Sequence, residues 1–274
     1  MTKPIWRLLH TQPKNGPYNM ALDEAILECV GKRISPPTLR LYAWAPPCLS
    51  LGYTQSINDI DLDQLASLNW DIVRRPTGGR AILHTDELTY SVIAPLDDPI
   101  VRGTVVESYQ RIAQGFLEAL RRLDLDAAAD EKYLLRDGIR PRGPVCFEVP
   151  SNYEITVGGK KLIGSAQARR RDGVLQHGSI PLTGDLSRIT RVLRYDDETA
   201  RFTAAQRLLN HAITVENALG KQINFDRVGQ AIVQSFQDVF DIQFVETTPS
   251  DEELTRMIEF IKEKYSSSQW TARN

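Results

Sequence analysis

The sequence contains few cysteines and few histidines. Its three cysteines, Cys29, Cys48 and Cys146, are far apart along 274 residues and show no CxxC spacing. This excludes a disulfide framework, and we therefore expect a reducing, cytoplasmic compartment. The four histidines are scattered, and no HExxH segment occurs. We therefore expect no metal site.

Long apolar segments and an excess of either charge are also missing. No segment approaches the ~20 apolar residues that cross a bilayer, so we expect no membrane association. The first residues lack the sustained apolar stretch of a signal peptide. The 33 Lys and Arg residues nearly balance the 35 Asp and Glu residues, which argues against nucleic-acid binding. With 42% apolar residues, the chain can bury a sizeable core.

The sequence does contain a mixture of helical and strand patterns. Up to about residue 185, short alternating segments and turn signals dominate, together with one long amphipathic helix over 104–125. After residue 185 the spacing of apolar residues becomes helical, at 186–193, 204–219, 225–240 and 251–265. Because helices and strands do not alternate as βαβ units, we predict an α+β fold with mixed, mainly antiparallel sheets. We expect a body at 1–185 and a helical C-terminal part at 186–274 packed on it.

Turn signals predict hairpins within this body. The polar turn at 85–87 separates segments 80–84 and 88–94, and Gly158-Gly159 separates 153–157 from 161–168. A further pair of strands is expected within 173–182.

An arginine- and glycine-rich segment is the first candidate site. It comprises Arg74, Arg75, Pro76, Thr77, Gly78, Gly79 and Arg80. Glycines let a backbone approach a ligand closely, and guanidinium groups suit phosphate. The segment is neither a Walker A loop nor GxGxxG. The alternative is a glycine turn with solvated arginines.

Cys146 is the second candidate, because it lies on a loop between prolines and charged residues. A thiol becomes a good nucleophile at neutral pH when a cation or a helix N-terminus is near. The alternative is a buried structural cysteine. Cys29 and Cys48, on a helical apolar face and in a strand-like segment, are expected to be packing residues.

The third candidate is the glycine- and lysine-rich segment from Gly158 to Gln167. Lys161, on an apolar strand, suits a desolvated proton donor, and the alternative is a lysine that solvates a hairpin. The candidate ligand-binding residues near it are Gly164, Ser165, Ala166, Gln167, His177 and Gly178. His84 and His177 are either ligand-positioning or satisfied structural histidines. Since GxSxG is absent and no acid–histidine partner is evident, we do not expect Ser165 to be a hydrolase nucleophile.

These segments together resemble the superfamily of lipoate–protein ligase A and the octanoyltransferases, which is also related to biotin ligases. RRPTGGRAILH with ELTYSVIAP resembles its signature loop and strand, and GGKKLIGSAQARR and LQHGSIPL resemble its second and third motifs. PYNMALDEA resembles its first helix and PPCLSLGYTQ the next strand. The likeness spans roughly residues 5–185. In CFEVPSNYE, Cys146 matches the acyl-accepting cysteine of the LipM branch of octanoyltransferases.

The resemblance implies a biotin/lipoate ligase-like catalytic domain and a two-step reaction. Cys146 would take the octanoyl group from octanoyl–acyl carrier protein, and a lysine of a lipoyl domain or glycine cleavage H protein would then accept it. This is the first step of lipoate assembly. Lys161 would lower the thiol pKa and move protons, and Gly78, Gly79 and the 164–167 segment would line the acyl slot. The arginines are our own candidates for contact with the phosphopantetheine phosphate or an acidic carrier-protein surface.

The resemblance implies that the reaction needs no cofactor. Because the sequence shows no coiled-coil pattern, we expect a monomer. Two alternatives stand beside the octanoyltransferase. One is a lipoate–protein ligase that works through lipoyl-adenylate and needs ATP and Mg. The other is a non-catalytic relative that binds carrier protein without turnover.

Overall fold

The computed structural model of the protein describes residues 2–130 and 154–273. Its strands are β1 Ile5–His10, β2 Thr38–Tyr42, β3 Cys48–Leu51, β4 Asp71–Arg74, β5 Ile82–His84, β6 Glu87–Pro95, β7 Ala127–Asp130, β8 Glu154–Val157, β9 Lys160–Arg169, β10 Gly173–Pro181 and β11 Gln243–Thr247. Its α-helices are α1 Gly16–Gly31, α2 Leu62–Ser67, α3 Val105–Arg122, α4 Glu198–His211, α5 Val215–Leu219, α6 Phe225–Phe240, α7 Asp251–Phe260 and α8 Ser268–Thr271. Shorter helical segments are the 3-10 helices Ile57–Asp59 and Leu186–Val192 and the π-helix Ile261–Tyr265.

The strands of the described residues form a large and a small sheet. The large sheet has eight strands in the order β11-β1-β2-β6-β10-β9-β8-β7. Only its β11–β1 and β1–β2 neighbours are parallel. The small sheet has the order β4-β3-β5, with β3 parallel to β4 and antiparallel to β5. These sheets confirm the expected α+β fold with mixed, mainly antiparallel strands.

Helices cover both faces of the large sheet because its strands alternate apolar side chains between the two faces. On one face, Tyr90 and Val92 of β6 pack with α3 and α6 in a cluster that includes Phe116 and Phe236. On the other face, Ile93 packs with α1 and with residues of α7. Strand β6 lies near the middle of the sheet and is buried along its whole length.

Two details of the strand pairing correct the sequence-based expectations. Segments 80–84 and 88–94 do not form a hairpin: β5 pairs with β3 in the small sheet, whereas β6 pairs with β2 and β10 in the large one. The fully buried nine-residue β6 needs long partners on both edges, which a three-residue strand cannot supply. Segment 173–182 contains one strand rather than two, since β10 is also buried throughout and paired on both edges. The hairpin of β8 and β9 is confirmed.

The residues after 185 are mainly helical, as expected, but they also complete the large sheet. Strand β11 pairs with β1, with Ile5 opposite Gln243. Glu253 of α7 accepts a hydrogen bond of 2.9 Å from the buried Arg7 guanidinium of β1. The division into 1–185 and 186–274 stays a prediction about domain organisation. Within 2–130 and 154–273, no helix is both long and apolar enough to span a bilayer.

Candidate functional site

A cavity of about 90 Å³ lies where the small sheet meets the large one. Its wall takes residues from α1, from the strands around it and from the glycine-rich segment that follows β4. Nine residues singled out from the sequence line it: Arg75, Gly79, Arg80, His84, Gly164, Ser165, Ala166, His177 and Gly178. Much of the remaining wall is apolar and includes Met20, Tyr42, Trp44 and Ile82.

The glycine-rich segment is held from inside by Arg75. The Arg75 side chain is buried, and its Nη2 donates to the carbonyls of Gly78 at 2.9 Å and Arg80 at 2.7 Å. Its Nη1 donates to the Ser50 carbonyl at 3.0 Å. Gly79 has φ +97°, and a Cβ there would lie 2.7 Å from Arg75 Nη2, so the position favours glycine for both reasons. Arg75 therefore shapes the cavity wall, while the half-buried Arg80 is better placed to meet an anion.

Arg74 does not line the cavity. Its buried guanidinium donates to main-chain carbonyls of Gly52 and Gln55 on one side, at 2.8 and 2.6 Å. On the other side it donates to the carbonyls of Thr271 and Arg273, each at 2.8 Å. The expectation that Arg74 binds substrate or phosphate is therefore corrected, because these carbonyls already occupy its donors. Its hydrogen bonds link Thr271 and Arg273 to the start of the glycine-rich segment.

His84 lies in the wall between a hydroxyl and a carboxylate. Its Nε2 is 2.7 Å from Ser50 Oγ, and its Nδ1 is 2.6 Å from Glu87 Oε1. The imidazole stacks on Trp44, with ring centroids 4.1 Å apart and planes 11° apart. All four side chains are buried. His84 was identified from the sequence, whereas Ser50 and Glu87, which come from β3 and the start of β6, were not.

His177 occupies a second arrangement of the same kind. Its Nε2 is 2.7 Å from Thr77 Oγ1, and its Nδ1 is 3.3 Å from Asp23 Oδ2. Burial lowers the pKa of His177 against the opposing effect of Asp23, and the charge of Arg75 lowers it further. The ring is therefore neutral at pH 7. This contact places Thr77 beside the cavity, although Thr77 itself does not line it.

Asp23 is the polar centre of the helix face that covers the cavity. Its carboxylate is fully buried and accepts hydrogen bonds from Arg40 at 2.7 Å, Tyr42 at 2.9 Å and Ser91 at 2.7 Å. Burial would raise the pKa of Asp23, but the Arg40 charge and the hydrogen bonds from His177 and Ser91 hold it below its usual value. Asp23 was not identified from the sequence, although it is an acid on the mainly apolar buried face of α1.

Lys161 is buried and paired, and it does not line the cavity. Its Nζ lies 2.6 Å from Glu154 Oε1, and both side chains are almost inaccessible to solvent. The alternative of a lysine that solvates the hairpin is therefore wrong for Lys161. Gln167 also lies outside the cavity wall, where its amide nitrogen donates to Ser108 at 2.7 Å and to Gln176 at 3.0 Å.

The cysteines divide into two groups. Cys29 and Cys48 are buried, which confirms their packing role. Burial, with nearby acids such as Glu253, raises the pKa of Cys29 to about 11, and burial raises the pKa of Cys48 well above its usual value. Neither is a nucleophile at neutral pH. Cys146 lies outside the described residues.

Comparisons with known proteins identify related chains. The model of the lipoyl protein ligase A/B catalytic domain family matches residues 15–237. "Octanoyltransferase LipM" from Moorella thermoacetica is 40% identical, with all of both chains covered. "Octanoyltransferase LipM" from Anoxybacillus flavithermus is 38% identical over 98% of this chain and 99% of its own length. Among solved structures, a bi-partite lipoate protein ligase from Thermoplasma acidophilum superposes with a TM-score of 0.81 at 25% identity, covering 99% of this chain and 97% of that one.

Proposed function

The chain belongs to the lipoyl protein ligase A/B catalytic domain family, and from this premise we propose that it transfers an octanoyl group from octanoyl–acyl carrier protein to a lysine of a lipoyl domain or glycine cleavage H protein. It is an acyltransferase. The observation that carries the choice of octanoyl transfer is full-length similarity to octanoyltransferases at 37–40% identity.

The proposed nucleophile is Cys146. Of the three cysteines in the sequence, Cys29 and Cys48 are buried with raised thiol pKa values. Cys146 lies in the segment that resembles the cysteine motif of octanoyltransferases. Its thiolate attacks the carbonyl carbon of the donor thioester, the phosphopantetheine thiolate leaves, and an octanoyl thioester forms on the enzyme. The acceptor amine then attacks this thioester and forms the amide.

We propose that Lys161 stabilises the Cys146 thiolate and that Glu154 positions Lys161. Glu154 lies eight positions after Cys146 in the sequence and holds the Lys161 ammonium at 2.6 Å inside the protein. This contact fixes the position of the lysine Nζ in the protein interior. In the proposal Lys161 is the cation that stabilises the thiolate, and Glu154, which was not identified from the sequence, is a positioning residue.

The cavity suits the acyl group better than a highly charged ligand. Met20, Tyr42, Trp44 and Ile82 contribute apolar surface to its wall, and each buried methylene of an acyl chain contributes about 0.8 kcal/mol to binding. Gly164 and Gly178 also line it, on the paired strands β9 and β10, where Gly164 lies opposite Ser179 and Gly178 lies opposite Ser165. At Gly178 a Cβ would lie 2.6 Å from the Tyr90 ring, so this position of β10 has no room for a larger side chain.

The proposal includes no resident cofactor or metal, because the acyl group arrives already activated as a thioester. We place the enzyme in the cytoplasm and expect it to act as a monomer.

An ATP-dependent lipoate–protein ligase is the second candidate function. The observation in its favour is the full-length structural similarity to a lipoate protein ligase from Thermoplasma acidophilum. In this alternative, the acyl group is activated as an adenylate, and no enzyme thiol is required.

A transfer assay distinguishes the two functions. The full chain is incubated with a lipoyl domain and either octanoyl–acyl carrier protein without ATP or free octanoate or lipoate with ATP and Mg. The proposal predicts acylated lipoyl domain in the first mixture, abolished in Cys146→Ala and retained in the matched control Cys29→Ala. Product in the second mixture alone, unaffected by Cys146→Ala, would replace the proposal with the ligase.

A further inference from the structure

The wall of the cavity contains a continuous chain of hydrogen bonds from Ser50 through His84 to Glu87. The chain is short, at 2.7 and 2.6 Å between successive heavy atoms. Its three members come from β3, β5 and the first residue of β6. Ser50 and His84 line the cavity, and Glu87 lies behind them.

The hydrogen bonds around Glu87 show that it acts as an acceptor. The Trp44 indole can only donate, and its Nε1 is 2.7 Å from Thr89 Oγ1. The Thr89 hydroxyl proton is therefore free to point to Glu87, which also receives the hydroxyl of Ser179. Glu87 thus accepts hydrogen bonds from two hydroxyl groups and faces His84 Nδ1, and we assign Nδ1 as the donor in this contact.

The other end of the chain is oriented by Arg75. The Arg75 guanidinium can only donate, and its Nη1 is 3.1 Å from Ser50 Oγ. With Nδ1 of His84 as the donor to Glu87, Nε2 is the acceptor for the Ser50 hydroxyl, which donates its own proton to that nitrogen. Ser50 Oγ keeps a further lone pair, which can accept a proton from a group in the cavity. This is the arrangement of a hydroxyl that passes protons to a histidine held by a carboxylate.

The two halves of the proposed reaction differ in their need for such a relay. When the Cys146 thiolate displaces the donor's thiolate, no net proton transfer is required. When a lysine amine attacks the enzyme thioester, its nitrogen becomes cationic and must lose a proton before the amide is complete. A base within reach of the cavity therefore serves the second half alone.

We infer that Ser50, His84 and Glu87 form a proton relay that serves the transfer of the acyl group from the enzyme to the acceptor lysine, an inference that rests on the proposed function. The C–N bond forms as the C–S bond breaks, and the electron pair of that bond leaves with the Cys146 sulfur. The amine proton moves to Ser50 Oγ, and the Ser50 proton moves to His84 Nε2. The resulting imidazolium is paired with Glu87 and later releases its proton to solvent.

His177 is less suited to this task, although it too lies between a hydroxyl and a carboxylate. Its carboxylate partner Asp23 is 3.3 Å away, against 2.6 Å for Glu87 and His84. Asp23 is also bound to Arg40, so its charge is already compensated and stabilises an imidazolium less. We therefore assign the relay to His84 and a structural role to His177.

The test measures the two half-reactions separately in the full-length protein. Acylation is followed by intact mass after mixing with octanoyl–acyl carrier protein, and transfer is followed after adding a lipoyl domain to the purified acyl-enzyme. In His84→Gln we expect acylation within about 3-fold of the wild type and transfer slowed by about 100-fold, the usual contribution of a general base. Glu87→Gln should show the same split, and Ser67→Ala, an exposed serine on α2, should change neither rate.

A second acceptor separates proton transfer from structural damage. Hydroxylamine is a weakly basic nucleophile that loses its proton readily, so it should discharge the His84→Gln acyl-enzyme at close to the wild-type rate. Equal slowing of acylation and transfer, equal slowing with both acceptors, or no slowing at all would overturn the relay. If the wild type forms no acyl-enzyme, the proposed function fails, and the relay fails with it because it has nothing to discharge.

Discussion

The buried pair of Asp23 and Arg40 provides the sharpest test of how the cavity is held together. Both side chains are completely inaccessible, and their closest atoms are 2.7 Å apart. Asp23→Asn keeps the shape of the side chain but leaves the Arg40 charge uncompensated in the core. Removing one partner of a buried pair costs about 3–5 kcal/mol of the free energy of unfolding. For a chain of this size, each kcal/mol lowers the thermal midpoint by about 2–4 °C.

The measurement is urea unfolding at pH 8, where the lowered pKa keeps Asp23 ionised and His177 is neutral in the folded and unfolded states. The double variant Asp23→Asn/Arg40→Met removes both charges, so we expect it to be less destabilised than either single variant. Asp97→Asn, in the exposed pair with Arg33, is the matched control and should cause no measurable change. A loss below about 1 kcal/mol in Asp23→Asn, or a double variant less stable than both singles, would show that the ion pair does not stabilise the core.

Three further predictions concern the surroundings of the cavity. Lys161→Met should slow acylation by about 100-fold and shift iodoacetamide alkylation of Cys146 to higher pH; an unchanged alkylation profile would contradict its role. The pKa of His177 in the folded protein is lowered from its ordinary 6.5. As pH falls, His177 is therefore protonated in the unfolded chain before it is protonated in the folded protein. Its contribution to the free energy of unfolding is fully present above pH 6.5 and is lost as pH falls below that value. His177→Gln should reduce this loss in urea unfolding, and an identical pH dependence would contradict it. A chain ending at residue 267 should melt at lower temperature and acylate more slowly, because Arg74 loses its C-terminal carbonyl partners; unchanged melting would contradict this role.

The sequence was most informative where local pattern and structure coincide. Helices α3 and α6 follow from the spacing of apolar residues, and the hairpin of β8 and β9 follows from Gly158-Gly159. Strand partners were less predictable, because β5 and β6 are consecutive in sequence and yet belong to different sheets. Strand β11 was missed since its side chains are mostly exposed at the sheet edge and its partner β1 is more than 230 residues away.

The candidate site was also predictable only in part. Nine of the residues singled out from motifs line one cavity, because glycine, arginine and histidine in short motifs mark places where backbone or side chain approaches a ligand. The partners that orient them were not visible in the sequence. Glu87 lies three positions from His84, but Ser50 lies 34 positions away and Asp23 lies 154 positions from His177. Their roles arise from tertiary contacts. Arg74 is the opposite case, a residue that was singled out from the sequence but does not line the cavity, because its guanidinium donates to main-chain carbonyls near the C-terminus.

The central claim is that the acyl group passes through a thioester on Cys146. The most direct measurement is intact-protein mass spectrometry after incubation with octanoyl–acyl carrier protein in the absence of ATP, followed by peptide mapping. We expect one octanoyl adduct on Cys146, sensitive to hydroxylamine and lost when a lipoyl domain is added. No adduct on Cys146, in a protein that nevertheless acylates the lipoyl domain, would contradict it.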